Sequence, residues 1–220
     1  MRLLTSALLL ILLVLAGHRV LAQKGLYLDN PQTFTGGVVL GLNLAQVDGD
    51  MYFGYNKPGL STGGYVRINF TPQWSAGMEL LYTQKGSRGD AIIESSYTGS
   101  YVAKCHIGLN YVEVPVTVRY KFAGFAAEVG ISYARLVKTN EWILVQPSVP
   151  IDQQQNRFND NALDFIFGLS RKVRKHLLAE LRFQYSMIAI RPTERVPPGY
   201  AYGSRGQFNN LFCARLAYEF

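Results

Sequence analysis

Apolar and polar residues alternate one for one along most of the chain after residue 22. From Trp74 to Tyr82, every second side chain is apolar and most of those between are small or polar. Because successive side chains of a β-strand point to opposite faces, a period of two predicts strands with one apolar face. We predict eight such strands, in the segments 36–47, 62–71, 74–82, 105–120, 125–133, 163–170, 177–185 and 214–220.

The connections between these strands are of two kinds. Short turns fall at 71–73, 122–124 and 173–176, whereas long polar segments fall at 48–60, 85–104, 138–161 and 191–207. Short and long connections alternate, which is typical of outer-membrane barrels with short periplasmic turns and long extracellular loops. The sequence therefore predicts an all-β fold, an eight-stranded antiparallel up-and-down transmembrane β-barrel.

The fourth strand contains an irregularity. Ile107 and Leu109 have the parity of the polar face, although both are apolar. We expect either a β-bulge between Cys105 and Tyr111 or a strand that leaves the membrane there.

Alternation alone does not say which face is wet. A soluble barrel buries its apolar face, and a lipocalin-like soluble barrel is the alternative, whereas a membrane barrel turns that face to lipid. Two features favour the membrane: the apolar face is nearly free of charge, and its aromatic residues gather near both strand ends. We then expect ten charged residues to fill the lumen: Arg67, Glu79, Glu113, Arg119, Glu128, Asp164, Glu180, Arg182, Arg215 and Glu219.

Two regions make up the chain in this interpretation. Residues 1–22 are expected to form a secretory signal peptide, with Arg2 before an apolar run, and residues 23–220 are expected to form the barrel domain. Val20-Leu21-Ala22 is the expected cleavage site, and Val14-Leu15-Ala16 is the alternative. The two cysteines, Cys105 and Cys213, lie on strands four and eight, on opposite walls, so we expect no disulfide between them.

The sequence contains only weak candidates for catalytic, metal-binding or adhesion sites. The net charge of +7 comes from scattered residues, so we expect no nucleic-acid partner. His106 is the best candidate for a catalytic base, with Ser95, Ser96 and Ser100 nearby in sequence, but nothing fixes their geometry. The Asp48-Gly49-Asp50 segment is an incomplete calcium loop and favours a turn, and Arg88-Gly89-Asp90 matches an adhesion tripeptide that also arises by chance. We expect no catalytic residue, cofactor or metal.

Several motifs resemble the PorT-like outer-membrane β-barrel family of the Bacteroidetes. They are Gly36-Gly37 through Gly41-Leu42-Asn43, Gly63-Gly64, the segment from Gly77 to Gly86, the segment from Leu109 to Pro115 that leads into Val118-Arg119-Tyr120, and the terminal Leu216-Ala217-Tyr218-Glu219-Phe220. The resemblance covers essentially the whole mature chain. It implies a barrel in the cell outer membrane and a terminal strand read by the barrel-assembly machinery, but no defined role.

The functional expectation follows from the architecture. Loops carry function on rigid scaffolds, so we expect the extracellular loops to serve as a binding, structural or envelope-accessory surface, with no open pore. The alternatives are an accessory of protein secretion or envelope assembly and a lipid-modifying enzyme. Expected partners are outer-membrane lipid, lipopolysaccharide and an unidentified envelope or extracellular protein. The aromatic residues expected to make loop contacts are Tyr97, Tyr101, Trp142, Tyr200 and Tyr202.

Overall fold

Eight antiparallel strands close into one ring in the computed structural model, which describes residues 33–95, 99–144, 154–197 and 204–220. Each strand pairs with its neighbours in sequence, and β8 pairs with β1 to close the barrel. The strands are β1 (Phe34–Asp48), β2 (Lys57–Asn69), β3 (Trp74–Ser95), β4 (Gly99–Phe122), β5 (Phe125–Leu144), β6 (Asn161–Arg174), β7 (Leu177–Ser186) and β8 (Phe208–Glu219). The predicted eight-stranded up-and-down barrel is confirmed. The described residues include no helix that is long and apolar enough to span a membrane.

The outward face of the barrel is apolar. In β1, for example, Leu40 and Leu42 are 62% and 66% exposed, and comparable side chains project from every other strand. Aromatic rings cluster on this face near both ends: Trp74 packs against Tyr120 beside the short turns, with ring centroids 4.8 Å apart, and Tyr185 stacks on Phe208 at the other end. So large an exposed apolar surface is stable in lipid and not in water.

The inward face carries the charges, as predicted. Nine of the ten charged residues expected in the lumen are buried, and the side chain of the tenth, Glu219, is 17% exposed at the short-turn mouth. The predicted inversion, with apolar residues outside and charged residues inside, is confirmed.

The irregularity expected between Cys105 and Tyr111 is confirmed as a register shift at Asn110 and Tyr111, although the extra residue lies on β5 and not on β4. Residues 105, 107, 109, 111 and 113 are all buried, so the parity of β4 continues unbroken. The register shift lies in the pairing with β5, where Asn110 faces Lys138 and Tyr111 faces Leu136, which leaves Val137 as the extra residue. What changes along β4 is the chemistry of the lumen, because its loop-side part is apolar and its turn-side part is charged.

The second long connection, expected at 85–104, is mostly strand. β3 and β4 remain paired from Gly86 opposite Gly108 to Ser95 opposite Gly99. Likewise β5 continues to Leu144, beyond the expected loop boundary at Lys138. Polar side chains on both faces suggested a loop, but backbone pairing between strands does not depend on side-chain polarity, and the inward-facing Lys85 and Ser87 are buried in the lumen. We call residues 85–95 of β3, 99–110 of β4 and 137–144 of β5 the strand extension.

Both cysteines are buried and unbridged, as expected. Cys105 lies on β4 among the apolar residues at the loop end, and Cys213 packs with Ala45 and Leu211. In an eight-stranded ring β4 and β8 are on opposite walls, which keeps the two thiols apart.

Candidate functional site

Six charged side chains form a network across the lumen, which we call the lumen network. It contains three glutamates and three arginines, so its charges balance: Glu79, Glu128, Glu180, Arg119, Arg182 and Arg215. Arg182 and Arg215 each donate two hydrogen bonds to the carboxylate of Glu79, at 2.8–3.0 Å. Bidentate pairs of this kind are the strongest charge-assisted hydrogen bonds. Since β3 and β7 lie on opposite walls, the pair of Glu79 and Arg182 ties the barrel together across its axis.

A second polar layer lies nearer the loops and is centred on Lys85. Its ammonium group contacts both Glu113 and Asp164, the latter at 2.5 Å, and the side chain has no exposed surface. Gln184 and Ser186 donate to Asp164 at 2.8 and 2.7 Å. Our sequence interpretation missed Lys85 by assigning it to a loop. The signal was present, because residues 79, 81, 83 and 85 continue the parity of the inward face of β3.

Above Lys85 the interior becomes apolar and is closed by a cluster that we call the loop cap. The cap consists of Val47, Tyr52, Cys105, Ile107, Leu109, Tyr111, Ala134, Phe158, Ala162, Ile190 and Val196. Its loop residues come from three different connections, which therefore pack into the barrel mouth. Beside it, Arg191 lies over the ring of Phe158, at 3.6 Å from the ring centroid, and pairs with Glu141 at 2.5 Å.

The Asp48-Gly49-Asp50 segment is a turn, which agrees with the turn interpretation. Gly49 has a φ of +90°, and a Cβ atom there would lie 2.1 Å from the carbonyl oxygen of Gly206. The two carboxylates point to different partners, since Asp48 accepts from Asn210 and Asp50 accepts from the amide of Tyr52. Burial raises the pKa of Asp50 to about 7, with a smaller contribution from the charge of Asp48.

On its outer side, the strand extension presents a row of one cation and two flat rings. Arg88, His106 and Trp142 are direct cross-strand partners on β3, β4 and β5, so their side chains project from the same face. The imidazole and indole rings stack, with centroids 5.7 Å apart and planes inclined by 13°. Arg88 is exposed and Trp142 is 47% exposed. We call Arg88, His106 and Trp142 the cross-strand row.

The structure describes only part of the predicted set of aromatic contacts. Trp142 is exposed, but it lies on β5 and not in a loop. Tyr101 lies on β4 opposite Ile93, and its side chain is outside the described residues. Tyr97, Tyr200 and Tyr202 also lie outside them.

The other candidate motifs find no support as sites. Arg88-Gly89-Asp90 lies in the paired part of β3, so it is an extended strand and not a loop. His106 stacks on Trp142, and no described side chain forms a hydrogen bond to it that would make it a catalytic base. Among the described residues, no group of three or more side chains could hold a metal ion.

Comparison with known proteins identifies a family. A family model described as outer membrane protein beta-barrel domain matches residues 22–190, more than half of the chain. No curated protein matches the sequence. The match leaves the narrower resemblance to PorT-like proteins a prediction.

Three solved barrels illustrate the similarity in structure. The attachment invasion locus protein Ail of Yersinia pestis is 11% identical over 84% of this chain and 98% of its own, with a TM-score of 0.44. Neisserial surface protein A is 9% identical over 87% and 100%, with a TM-score of 0.40. Outer membrane protein W of E. coli is 10% identical over 84% and 98%, with a TM-score of 0.30. The fold is established by the strand pairing, and the family by the sequence match.

Proposed function

The chain belongs to the outer membrane protein beta-barrel domain family, and from this premise we propose that it is a surface-binding protein of the outer membrane. Its binding surface is the outer side of the strand extension, centred on the cross-strand row. The barrel below serves as a rigid anchor without an open pore.

The exposure of the cross-strand row is the observation that carries this proposal. Transfer of a tryptophan ring from water to a buried environment is favourable. The exposed Trp142 stacked on His106 is therefore typical of a surface that a partner covers. Tryptophan and arginine are also enriched among the residues that dominate binding energy at protein interfaces. Because strands hold the row, its geometry is fixed before a partner arrives.

The charge of the row indicates the kind of partner. Arg88 contributes a cation, Lys104 is exposed on the next outward position of β4, and Asp90 is the acid opposite Lys104. The net charge of this patch is positive, so it should attract a partner whose surface is acidic. We therefore propose an extracellular protein partner with exposed carboxylates.

Binding to an acidic probe tests the surface. Proteoliposomes that display the barrel should bind a fluorescent poly-glutamate peptide, and Trp142→Ala and Arg88→Gln should each weaken binding by about tenfold, the loss expected for a central interface residue. The matched control is Phe53→Ala, which removes another exposed loop-side aromatic residue outside the row. Equal binding by the parent, the two row variants and the control would contradict the proposal.

The closed interior supports the absence of a pore. The lumen network, the Lys85 layer and the loop cap follow one another along the axis, and all of their side chains are buried. Eight strands enclose an interior that side chains can fill. Proteoliposome swelling in small sugars should match that of protein-free liposomes, and faster swelling would show an open path.

A further inference from the structure

A polar cavity of about 450 Å³ opens at the short-turn mouth of the barrel, at the end opposite the proposed binding surface. We call it the vestibule, and its lining includes Thr35, Arg67, Lys121, Lys172, Leu178 and Glu219. The volume lies within the range of about 300–1,000 Å³ typical of small-ligand sites. In outer-membrane barrels the short turns face the periplasm.

The vestibule has more positive than negative charge. Arg119 also borders it, but that guanidinium pairs with Glu128 and Glu180 of the balanced lumen network at 2.9 and 2.7 Å. Arg67, Lys121 and Lys172 then face a single acid, Glu219, among the described residues that line the cavity. The local excess is two positive charges.

Glu219 is too distant from these cations to form close hydrogen bonds with them. Glu219 lies 3.6 Å from the nearest nitrogen atoms of both Arg67 and Lys172, which is longer than a normal charge-assisted hydrogen bond. The side chain of Arg67 is only 8% exposed, so it is held in place rather than moving freely in solvent. Its guanidinium also lies over the ring of Tyr65, 4.7 Å from the centroid, and a bound anion would give it the close charge-assisted hydrogen bonds that Glu219 does not.

Further features of the wall point to a ligand. The hydroxyl oxygen of Thr35 is buried and makes no hydrogen bond within the described part of the chain. It could donate to an oxyanion beside Arg67. Leu178 gives the cavity an apolar side, which would accommodate the organic part of a ligand.

We propose that the vestibule is a binding site for a dianionic oxyanion, with a phosphate monoester as the ligand class. A phosphate monoester carries a charge of about −1.5 to −2 at pH 7 and offers three strong acceptor oxygens, which matches the excess charge and the spare donors of the vestibule. Arg67 binds two of these oxygens, and Lys121 and Lys172 bind from the rim. The ligand enters from the periplasmic side.

Titration of the full mature barrel in nanodiscs of zwitterionic lipid tests the site. Inorganic phosphate and a phosphoserine tripeptide are added separately, and binding is followed by calorimetry. Both should bind saturably at a single site if the phosphate group is what the vestibule recognises. Tighter binding of the tripeptide would place the physiological phosphate on a larger molecule, and equal binding would favour the free ion.

Variants separate this site from general electrostatic attraction. Arg67→Gln and Lys121→Gln should each weaken phosphate binding about tenfold, the loss expected for one charge-assisted hydrogen bond. Arg174→Gln is the matched control, because Arg174 is an exposed cation at the same end of the barrel and does not line the cavity. Lys121 is exposed and outside the lumen network, so its variant keeps the test informative if the Arg67 variant does not fold.

Two results would overturn the proposal. One is an absence of saturable binding to the parent barrel. The other is an equal loss for Arg174→Gln and Lys121→Gln, which would reduce the effect to the net charge of this end. The cross-strand row lies at the opposite end, so a failure here leaves the proposed surface-binding function untouched.

Discussion

Removing one acid from the lumen network should destabilise the barrel strongly. Glu79→Gln keeps the shape of the side chain and removes its charge, which leaves three arginines against two glutamates. The side chains of Glu79, Arg182 and Arg215 are 4%, 3% and 2% exposed, so solvent cannot compensate the unpaired charge. Breaking a buried ion pair from one side costs about 3–5 kcal/mol, and we expect a loss in that range.

Restoring the charge balance should recover much of this loss. In the double variant Glu79→Gln with Arg182→Met, two arginines remain with two glutamates. Arg215 keeps its contact with Glu180 at 2.6 Å, and Arg119 keeps both of its partners. Replacement of a buried ion pair by groups without charge is often close to neutral. The double variant should therefore be more stable than Glu79→Gln alone.

Guanidinium unfolding of the refolded barrel in detergent micelles measures these differences, with tryptophan fluorescence and heat-modified gel migration as probes. The matched control is Arg135→Gln, which breaks an exposed pair with Asp160 and should cost less than about 1 kcal/mol. A loss for Glu79→Gln no larger than that of the control would contradict a large penalty for an unpaired charge in the lumen network. So would a double variant less stable than the single one, because the penalty would then not come from unbalanced charge.

Three further predictions concern other parts of the barrel. Gly168→Ala should destabilise it by about 1–3 kcal/mol, measured by the same unfolding assay, because a Cβ atom there would lie 2.7 Å from the Glu128 carboxylate. Cys105 and Cys213 should react with maleimide only after unfolding, which mass spectrometry would show as two added labels; rapid labelling of the folded barrel would contradict their burial. Burial raises the pKa of Asp50 from 3.8 to about 7 in the folded state, so between these two values the folded state holds a proton that the unfolded state has lost. The free energy of unfolding should therefore decrease as the pH rises from about 4 to 7. Asp50→Asn should remove this decline in thermal unfolding, and an unchanged pH profile would argue against it.

The alternation of side chains predicted most of the architecture, because it depends only on local geometry. Any strand with the pattern of Val112 to Tyr120 must have one apolar face, whatever it pairs with. The same reasoning located nine buried charges before any contact was known. It also located the irregularity beside Tyr111, but not the reason for the apolar residues before it. Ile107 and Leu109 face the same lumen as Glu113, at a level where the loop cap makes that lumen apolar.

The candidate sites depended on contacts that a sequence does not contain. His106 and Trp142 are far apart along the chain and become neighbours only through the register of β4 with β5. The vestibule likewise requires the ends of β2, β4, β6 and β8 to converge on one mouth. No periodicity predicts which charges meet there.

The number of strands, the inverted distribution of apolar and charged residues and the two kinds of connection were predictable from the sequence, since each follows from properties of adjacent residues. The pairing of the charges, the length of β3, β4 and β5 and the places where cations lack close partners depend on the tertiary structure. Those outcomes depend on closure of the ring. Closure sets the register between distant strands, and the register brings Glu79 to Arg182 while leaving Arg67, among the described residues, with Glu219 at 3.6 Å as its acidic partner.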